Sequence, residues 1–220
     1  MTTFEVLEEH DARLGRDEDL GRSLALLGAA LLDETGGVHR DQVVAYVEGH
    51  ADAAWRSSVE AHLTGSALVV DAAGERTLLM LHRKLGRWFQ PGGHADGDAN
   101  LAAVALREAR EETGLGGLRV VAPAIDVDVH QVEPPGEAPH LHLDVRFVVL
   151  APDGASEEAN EESLALRWVR PSELDDLDPP LDESTRRLVR RGLEVARQVL
   201  DAAGDGVSPR RPASRTPRSG

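Results

Sequence analysis

The stretch "GHADGDANLAAVALREAREETGL", residues 93–115, joins a glycine-rich loop to an acidic helix. Apolar side chains at helical spacing predict a helix over residues 101–113, and Gly114 is expected to end it. Three carboxylates lie within about one turn of this helix and share a face: Glu108, Glu111 and Glu112. Like charges at i,i+4 destabilise a helix by roughly 0.2–0.5 kcal/mol per pair, so a compensating interaction is expected.

On the face that carries these glutamates, one arginine can offset their charge, because Arg107 stands four residues before Glu111. A solvated acidic helix face is the common alternative. A metal is favoured because three glutamates converge beside a single arginine. The helix also follows a glycine-rich loop, where backbone can approach a ligand closely. Oxygen-rich clusters suit hard cations, so the sequence predicts a site for Mg²⁺ or Mn²⁺.

The same stretch resembles the Nudix box, G-x5-E-x7-R-E-U-x-E-E-x-G-U, in which U is an aliphatic residue. The first glycine of the pattern falls on Gly93, and the overlapping "QPGGH" (90–94) is also typical of the family. The second half of the pattern is matched by Arg107, Glu108, Ala109, Glu111, Glu112, Gly114 and Leu115. The resemblance implies an α+β structure, the Nudix fold, in which a mixed β-sheet is sandwiched between helices.

One position departs from the pattern, because its first glutamate falls on Ala99. Asp98 stands beside it, and "GD" at 97–98 resembles the usual "GE" with one extra residue before the arginine. Asp98 either replaces the missing carboxylate or caps the helix. The departure supports an alternative function, a non-catalytic Nudix module that binds a nucleotide or a protein partner. The retained glutamates favour an enzyme.

The family resemblance implies a hydrolase that cleaves the phosphoanhydride bond of a nucleoside diphosphate linked to another group. A divalent ion, Mg²⁺ or Mn²⁺, neutralises the diphosphate charge and lowers the pKa of a bound water in such enzymes. By resemblance, Glu111 and Glu112 are expected to bind this metal, together with the carbonyl of Gly92. Glu108 is expected to be a further ligand or the catalytic base, and Arg107 to orient Glu111.

Candidate substrate-binding residues precede the box in the run "HRKLGRW" (82–88). Arg83 and Arg87 are expected to hold phosphates, although solvation at the surface is an equally common role for such residues. Trp88 is a candidate for stacking on a base or for the core.

A second group of candidates comes from the alternating strand "HLHLDVRF" (140–147). Its polar face carries His142 and Asp144, which are expected to line a cleft and contact substrate. The histidines suggest a histidine metal site, but no spacing of the zinc-enzyme type is present. Glu162 and its neighbour Glu161, in the acidic loop before the last strand, are candidates for the base or an extra metal ligand, although a solvated acidic loop is the more common role for either residue.

The chain is expected to have three parts: an N-terminal helical extension (1–62), a Nudix hydrolase domain (63–202) and a disordered tail rich in Arg, Pro and Ser (203–220). In the extension, helices are predicted over 20–34 and 39–55, with a break at Gly36–Gly37 and an N-cap at Asp41. In the domain, alternating apolar residues predict strands, and an amphipathic pattern predicts a last helix. These are strands 66–72, 76–83, 118–132, 140–151 and 163–169, and helix 182–200.

Composition narrows the function classes. The net charge of −15 argues against nucleic-acid binding, which requires a basic surface. The absence of cysteine excludes disulfides and thiolate chemistry. No signal peptide or apolar span is evident, so a cytoplasmic protein without membrane contact is expected. The expected partner is a small nucleotide-type diphosphate, and the N-terminal helices are compatible with a homodimer.

Overall fold

The structure, a computed structural model, describes residues 3–133, 136, 138–157 and 163–205. Within these residues the chain forms eight strands: β1 (Glu5–Glu8), β2 (Ala61–Val70), β3 (Thr77–His82), β4 (Trp88–Phe89), β5 (Gly92–His94), β6 (Arg119–Val132), β7 (His140–Leu150) and β8 (Ser163–Val169). The same residues form four α-helices: α1 (Leu20–Ala29), α2 (Glu34–Gly49), α3 (Leu101–Thr113) and α4 (Glu183–Asp205). The predicted α+β class is confirmed.

The described strands form one mixed sheet in the order β1-β6-β7-β2-β3-β4, with β5 paired to β2 and β8 paired to β3. β2 and β7 run parallel, from Ala61 opposite Leu141 to Val70 opposite Leu150. The remaining pairs among the described strands are antiparallel. β2 is buried along its whole length, as expected for a central strand that is covered on both faces.

Helices cover both faces of this sheet. Leu63 of β2 packs in a core shared with α1, α2 and α3, whereas Leu68 packs in a second core beneath α4. Successive side chains of a strand point to opposite faces, so one strand supplies both cores. At Gly65, a Cβ would lie 2.8 Å from the carbonyl oxygen of Leu101, so glycine allows α3 to approach β2. The predicted mixed sheet between helices is confirmed.

The N-terminal segment contributes an edge strand, although the sequence pattern predicted helix throughout residues 1–62. β1 is antiparallel to β6, with Glu5 opposite Ala122 and Glu8 opposite Arg119. The helical prediction is wrong for this strand because its hydrogen bonds come from a partner far along the chain. A strand this short has too few residues to reveal its period.

The boundary between the first two helices also differs from the prediction. α1 ends at Ala29, and α2 begins at Glu34 and runs through Gly36–Gly37. The helix starts there because the Asp33 carboxylate accepts a hydrogen bond at 2.8 Å from the Gly36 amide. The predicted N-cap at Asp41 is therefore wrong, since Asp41 lies inside α2.

The C-terminal helix begins at Glu183, close to its predicted start, and continues to Asp205. It thus extends into the segment predicted to be disordered, and residues 206–220 lie outside the described residues. Among the described helices, none has the length and apolar character that crossing a membrane requires.

Candidate active site

Helix α3, which carries the three glutamates, has the bounds predicted for it. Its last residue is followed by Gly114 at φ 69°, a left-handed conformation that glycine adopts without strain. At the other end, the Asn100 side chain donates to the carbonyl oxygens of Arg13 and Gly15 at 2.8 and 2.9 Å. The start of the helix is therefore held by the N-terminal segment.

The backbone of β5 lies against the carboxylates of α3. The Gly92 amide donates to Oε2 of Glu112 at 3.0 Å. A Cβ at Gly93 would lie 2.4 Å from Oε2 of Glu108, so a side chain there would displace that carboxylate. Glu112 is buried, Glu108 is half-buried and Glu111 is exposed on the same helix. The two glycines thus bring backbone within reach of two of the three glutamates.

Arg107 binds the neighbouring carboxylate. Its Nη2 donates to Oε1 of Glu108 at 2.9 Å and to the carbonyl oxygen of His94 at 3.1 Å. Burial raises the pKa of Glu108, and the Arg107 charge offsets this only in part, so the pKa stays above its usual value. The role of Arg107 in orienting Glu111 stays a prediction.

The donor set of this site suits a hard divalent cation. Carboxylate oxygens and backbone carbonyl oxygens are ligands that Mg²⁺ and Mn²⁺ prefer. A side chain at Gly93 would clash with the Glu108 carboxylate, and burial disfavours the charge of Glu108 more than Arg107 stabilises it, a penalty that a bound cation would offset. The residues present therefore fit the predicted metal.

Asp98 and Ala99 occupy the position where the box pattern departs. Oδ1 of Asp98 accepts from the amides of Asp17 at 3.1 Å and Asn100 at 3.0 Å, so this carboxylate ties the loop to the helix start. Its Oδ2 lies 3.9 Å from Nη1 of Arg107. The N-cap of α3 is Asn100, so Asp98 supports the loop before the helix and does not cap it, and a role as an extra metal carboxylate stays a prediction.

The basic residues before the box lie on the turn between β3 and β4. Arg83 and Arg87 are both exposed there. Trp88, by contrast, is buried in the core beneath α4, and its indole donates to the carbonyl oxygen of Asp178 at 3.1 Å. This tryptophan therefore anchors the turn. The other predicted carboxylate, Glu162, lies outside the described residues, as does Glu161.

Asp144 is buried inside a network of polar side chains. Its carboxylate accepts from Thr64 and Ser66, each at 2.8 Å, and from Nε of Arg146 at 2.7 Å. Burial alone would raise the pKa of Asp144, but Arg146, His130 and the hydrogen bond from Ser66 together outweigh burial and hold the pKa below its usual range. Arg146 also pairs with Asp126 and Asp128, and Arg187 pairs with the same two aspartates. We call this group the buried ion cluster: Asp126, Asp128, Asp144, Arg146 and Arg187. Substrate contact by Asp144 stays a prediction.

His142 lies close to two other histidines, a grouping that the sequence did not predict. It pairs across the sheet with His62 of β2, while His94 of β5 lies opposite Thr64. We call His62, His94 and His142 the histidine cluster. His62 and His94 were missed because the three residues are far apart in sequence, so only strand register brings them together. Substrate contact by His142 also stays a prediction.

A family model described as the NUDIX domain matches residues 61–192, more than half of the chain. This chain belongs to the NUDIX family. It is thus a Nudix hydrolase, an enzyme that acts on phosphorus-containing acid anhydrides. No curated protein matches the chain.

Solved structures with a similar arrangement include several Nudix proteins. A NUDIX-family hydrolase from Clostridium perfringens shares 20% identity at a TM-score of 0.45, over 63% of this Nudix chain and 97% of its own. The Nudix hydrolase RenU from M. smegmatis shares 24% identity at a TM-score of 0.46. The match covers 63% of this chain and 87% of RenU. The NUDIX domain of Shewanella oneidensis NrtR, crystallised with ADP ribose, shares 19% identity at a TM-score of 0.44. The match covers 63% of this chain and 87% of that domain.

Proposed function

We propose that this Nudix hydrolase depends on a divalent metal and cleaves the phosphoanhydride bond of a nucleoside diphosphate linked to another moiety. The observation that carries the proposal is the contact between α3 and β5. There, the Gly92 amide binds Glu112 at 3.0 Å, and Gly93 leaves room for the Glu108 carboxylate. A burial-raised pKa at Glu108 and the exposed Glu111 complete an acidic site.

The metal ligands in this proposal are Glu111, Glu112 and the carbonyl of Gly92. Glu108 is either a further ligand or the group that accepts the proton of the attacking water. Bound there, Mg²⁺ or Mn²⁺ supplies charge neutralisation on the diphosphate and acidifies water. Arg107 fixes the Glu108 carboxylate through its 2.9 Å bond, so Glu108 is positioned before substrate arrives.

The substrate side of the proposal uses the exposed turn between β3 and β4. Arg83 and Arg87 are proposed to bind phosphate oxygens, which a chain with a net charge of −15 otherwise repels. Because His142 and Asp144 lie on the sheet face away from the glutamates, their contact with substrate stays a prediction from the sequence and is not part of this proposal. A cytoplasmic location, a homodimer and the absence of nucleic-acid partners stay predictions from composition.

The first test measures release of phosphate, pyrophosphate and nucleoside monophosphate from a panel of nucleoside-diphosphate compounds. We expect turnover with Mg²⁺ or Mn²⁺ that EDTA abolishes. Glu112→Gln should lower kcat/KM by at least about 100-fold, because it removes a charged metal ligand. Glu48→Gln, an exposed position on α2, is the matched control and should retain full turnover. Turnover that persists in EDTA or in Glu112→Gln would contradict the proposal.

The second variant separates the two roles of Glu108. If Glu108 is a ligand, Glu108→Gln weakens Mn²⁺ binding, measured by titration with electron paramagnetic resonance. If it is the proton acceptor, Mn²⁺ affinity is retained while kcat falls. Retention of both Mn²⁺ affinity and kcat in Glu108→Gln would show that Glu108 has neither role.

A further inference from the structure

The histidine cluster lies on the face of the sheet away from the glutamates. Gly93 faces α3, so the next residue of β5, His94, faces the opposite side. His62 and His142 are direct neighbours across β2 and β7 and share that side. Of the residues that the structure describes, these three bring one ring nitrogen each to within 4.8 Å of the others.

Two of these rings present buried nitrogens that lack a hydrogen bond. Nε2 of His62 and Nε2 of His142 are both buried without a partner among the described residues. His62 as a whole is 4% exposed. An unsatisfied buried polar atom destabilises the folded state, so its persistence calls for an explanation such as an ion.

The other nitrogen of His62 is already engaged. Its Nδ1 lies 3.2 Å from the carbonyl oxygen of Ser58. Donation from Nδ1 to a backbone carbonyl is the arrangement that leaves Nε2 as a lone-pair donor and fixes the ring of a metal-binding histidine. Nε2 is therefore the nitrogen of His62 that is available to a metal.

Burial also keeps these imidazoles neutral near neutral pH. It lowers the pKa of His94 to about 4 and that of His142 to about 3. Neutral imidazole is the form that binds metals.

We propose that His62, His94 and His142 form a second metal site, which binds one late first-row transition-metal ion such as Zn²⁺. Three imidazoles select such ions over Mg²⁺, whereas the carboxylates on α3 select the hard cation. Tetrahedral Zn²⁺ with bonds of about 2.0–2.1 Å needs nitrogens roughly 3.3 Å apart, so binding draws the rings together. His140, whose ring centroid lies 4.8 Å from that of His62, borders the cluster.

The test uses the full chain without an affinity tag. Zn²⁺ bound after equilibrium dialysis is measured by mass spectrometry, and Co²⁺ is used to detect tetrahedral coordination by its visible absorption. We expect one Zn²⁺ per chain, with affinity reduced more than about 10-fold in His62→Asn, His94→Asn and His142→Asn. His10→Asn, an exposed histidine, is the control and should bind as the unaltered chain does.

Two outcomes would overturn the site. One is no Zn²⁺ bound by the unaltered chain, and the other is equal binding in the cluster variants and in His10→Asn. If His62→Asn fails to fold by circular dichroism, the half-buried His94 and His142 variants decide the matter. Glu112→Gln should lose hydrolysis yet keep its Zn²⁺. Loss of Zn²⁺ in that variant would place the ion on the glutamates and contradict the proposal.

Discussion

Ala99 stands where the Nudix box has its first glutamate, and its surroundings explain why a larger residue is absent. Its side chain is fully buried. Its amide donates to the carbonyl oxygen of Asp17 at 2.6 Å, and its carbonyl accepts from Oγ of Ser23 at 2.7 Å. Asp98, one residue earlier, supplies the carboxylate near Arg107. That Asp98 replaces the missing glutamate stays a prediction.

Ala99→Glu should therefore damage the protein, although it restores the family pattern. The new side chain overpacks a closed position and buries a charge, so the free energy of unfolding should fall by about 3 kcal/mol or more. Turnover per folded molecule should not rise. Urea unfolding and steady-state kinetics check both expectations, with Ala51→Glu on an exposed turn as the control. A variant with normal stability and faster turnover would show that the missing glutamate is a catalytic loss.

At the scale of elements, the N-terminal segment holds the loop that leads into α3. Asp17 and Ala99 are joined through their backbones, and Arg56 forms a double hydrogen bond with Asp96 at 2.8 and 2.9 Å. The amide of Gly97 donates to the carbonyl oxygen of Ala54 at 2.9 Å. The helices before the sheet are thus part of the support of the active site, which makes full activity of a core lacking them unexpected.

Ser23→Ala tests this support with a single atom. Ser23 is fully buried on α1, and its hydroxyl is a partner of the Ala99 carbonyl. Removing it leaves that carbonyl without this bond, so unfolding should become easier by about 1–3 kcal/mol. Hydrogen exchange in residues 95–100 should accelerate more than in the core of the sheet. Ser57→Ala, at an exposed position, should change neither quantity. Unaltered exchange in the loop of Ser23→Ala would mean that the N-terminal segment does not stabilise it.

The elements that sequence analysis located correctly are those whose signals are local. α3 was predicted from residue 101 to 113 because an apolar stripe and a terminal glycine lie within the helix itself. β1 and the start of α2 were not predicted correctly. β1 forms because it pairs with the distant strand β6, and α2 starts where the Asp33 side chain caps it. The histidine cluster depends on the register of β2, β5 and β7, which no spacing along the chain records.

At the scale of the whole molecule, the chain carries a net charge of −15 and buries an arginine, Arg146, among carboxylates. Arg146 is bonded to Asp144 at 2.7 Å and to Asp126 and Asp128 at 3.1 Å each. These contacts join β6 to β7 and, through Arg187, to α4. Breaking such a buried pair by removing one partner costs about 3–5 kcal/mol, because a charge is left uncompensated.

The buried ion cluster should make stability depend on pH. Burial alone would raise the pKa of Asp128, but a hydrogen bond with His130 and the Arg146 and Arg187 charges together hold it far below its usual range. A lowered folded-state pKa contributes stability that is present above the unfolded value of about 3.9 and is lost as pH falls toward the folded value. Asp144 acts in the same direction. Asp126 acts in the opposite one, because burial raises its pKa despite its arginine partners.

Asp128→Asn should lower the free energy of unfolding by about 3–5 kcal/mol near neutral pH, and this difference should shrink below about pH 4 as the unaltered chain loses the contribution of Asp128. Protonation of surface carboxylates acts oppositely, since it relieves the repulsion of a chain with a net charge of −15. Asp201→Asn, exposed on α4, shares that general effect and is the control. Urea unfolding of all three proteins from neutral to acid pH isolates Asp128 as the remaining difference. A constant offset between Asp128→Asn and the unaltered chain would mean that Asp128 titrates alike in the folded and unfolded states, so that packing alone accounts for its contribution.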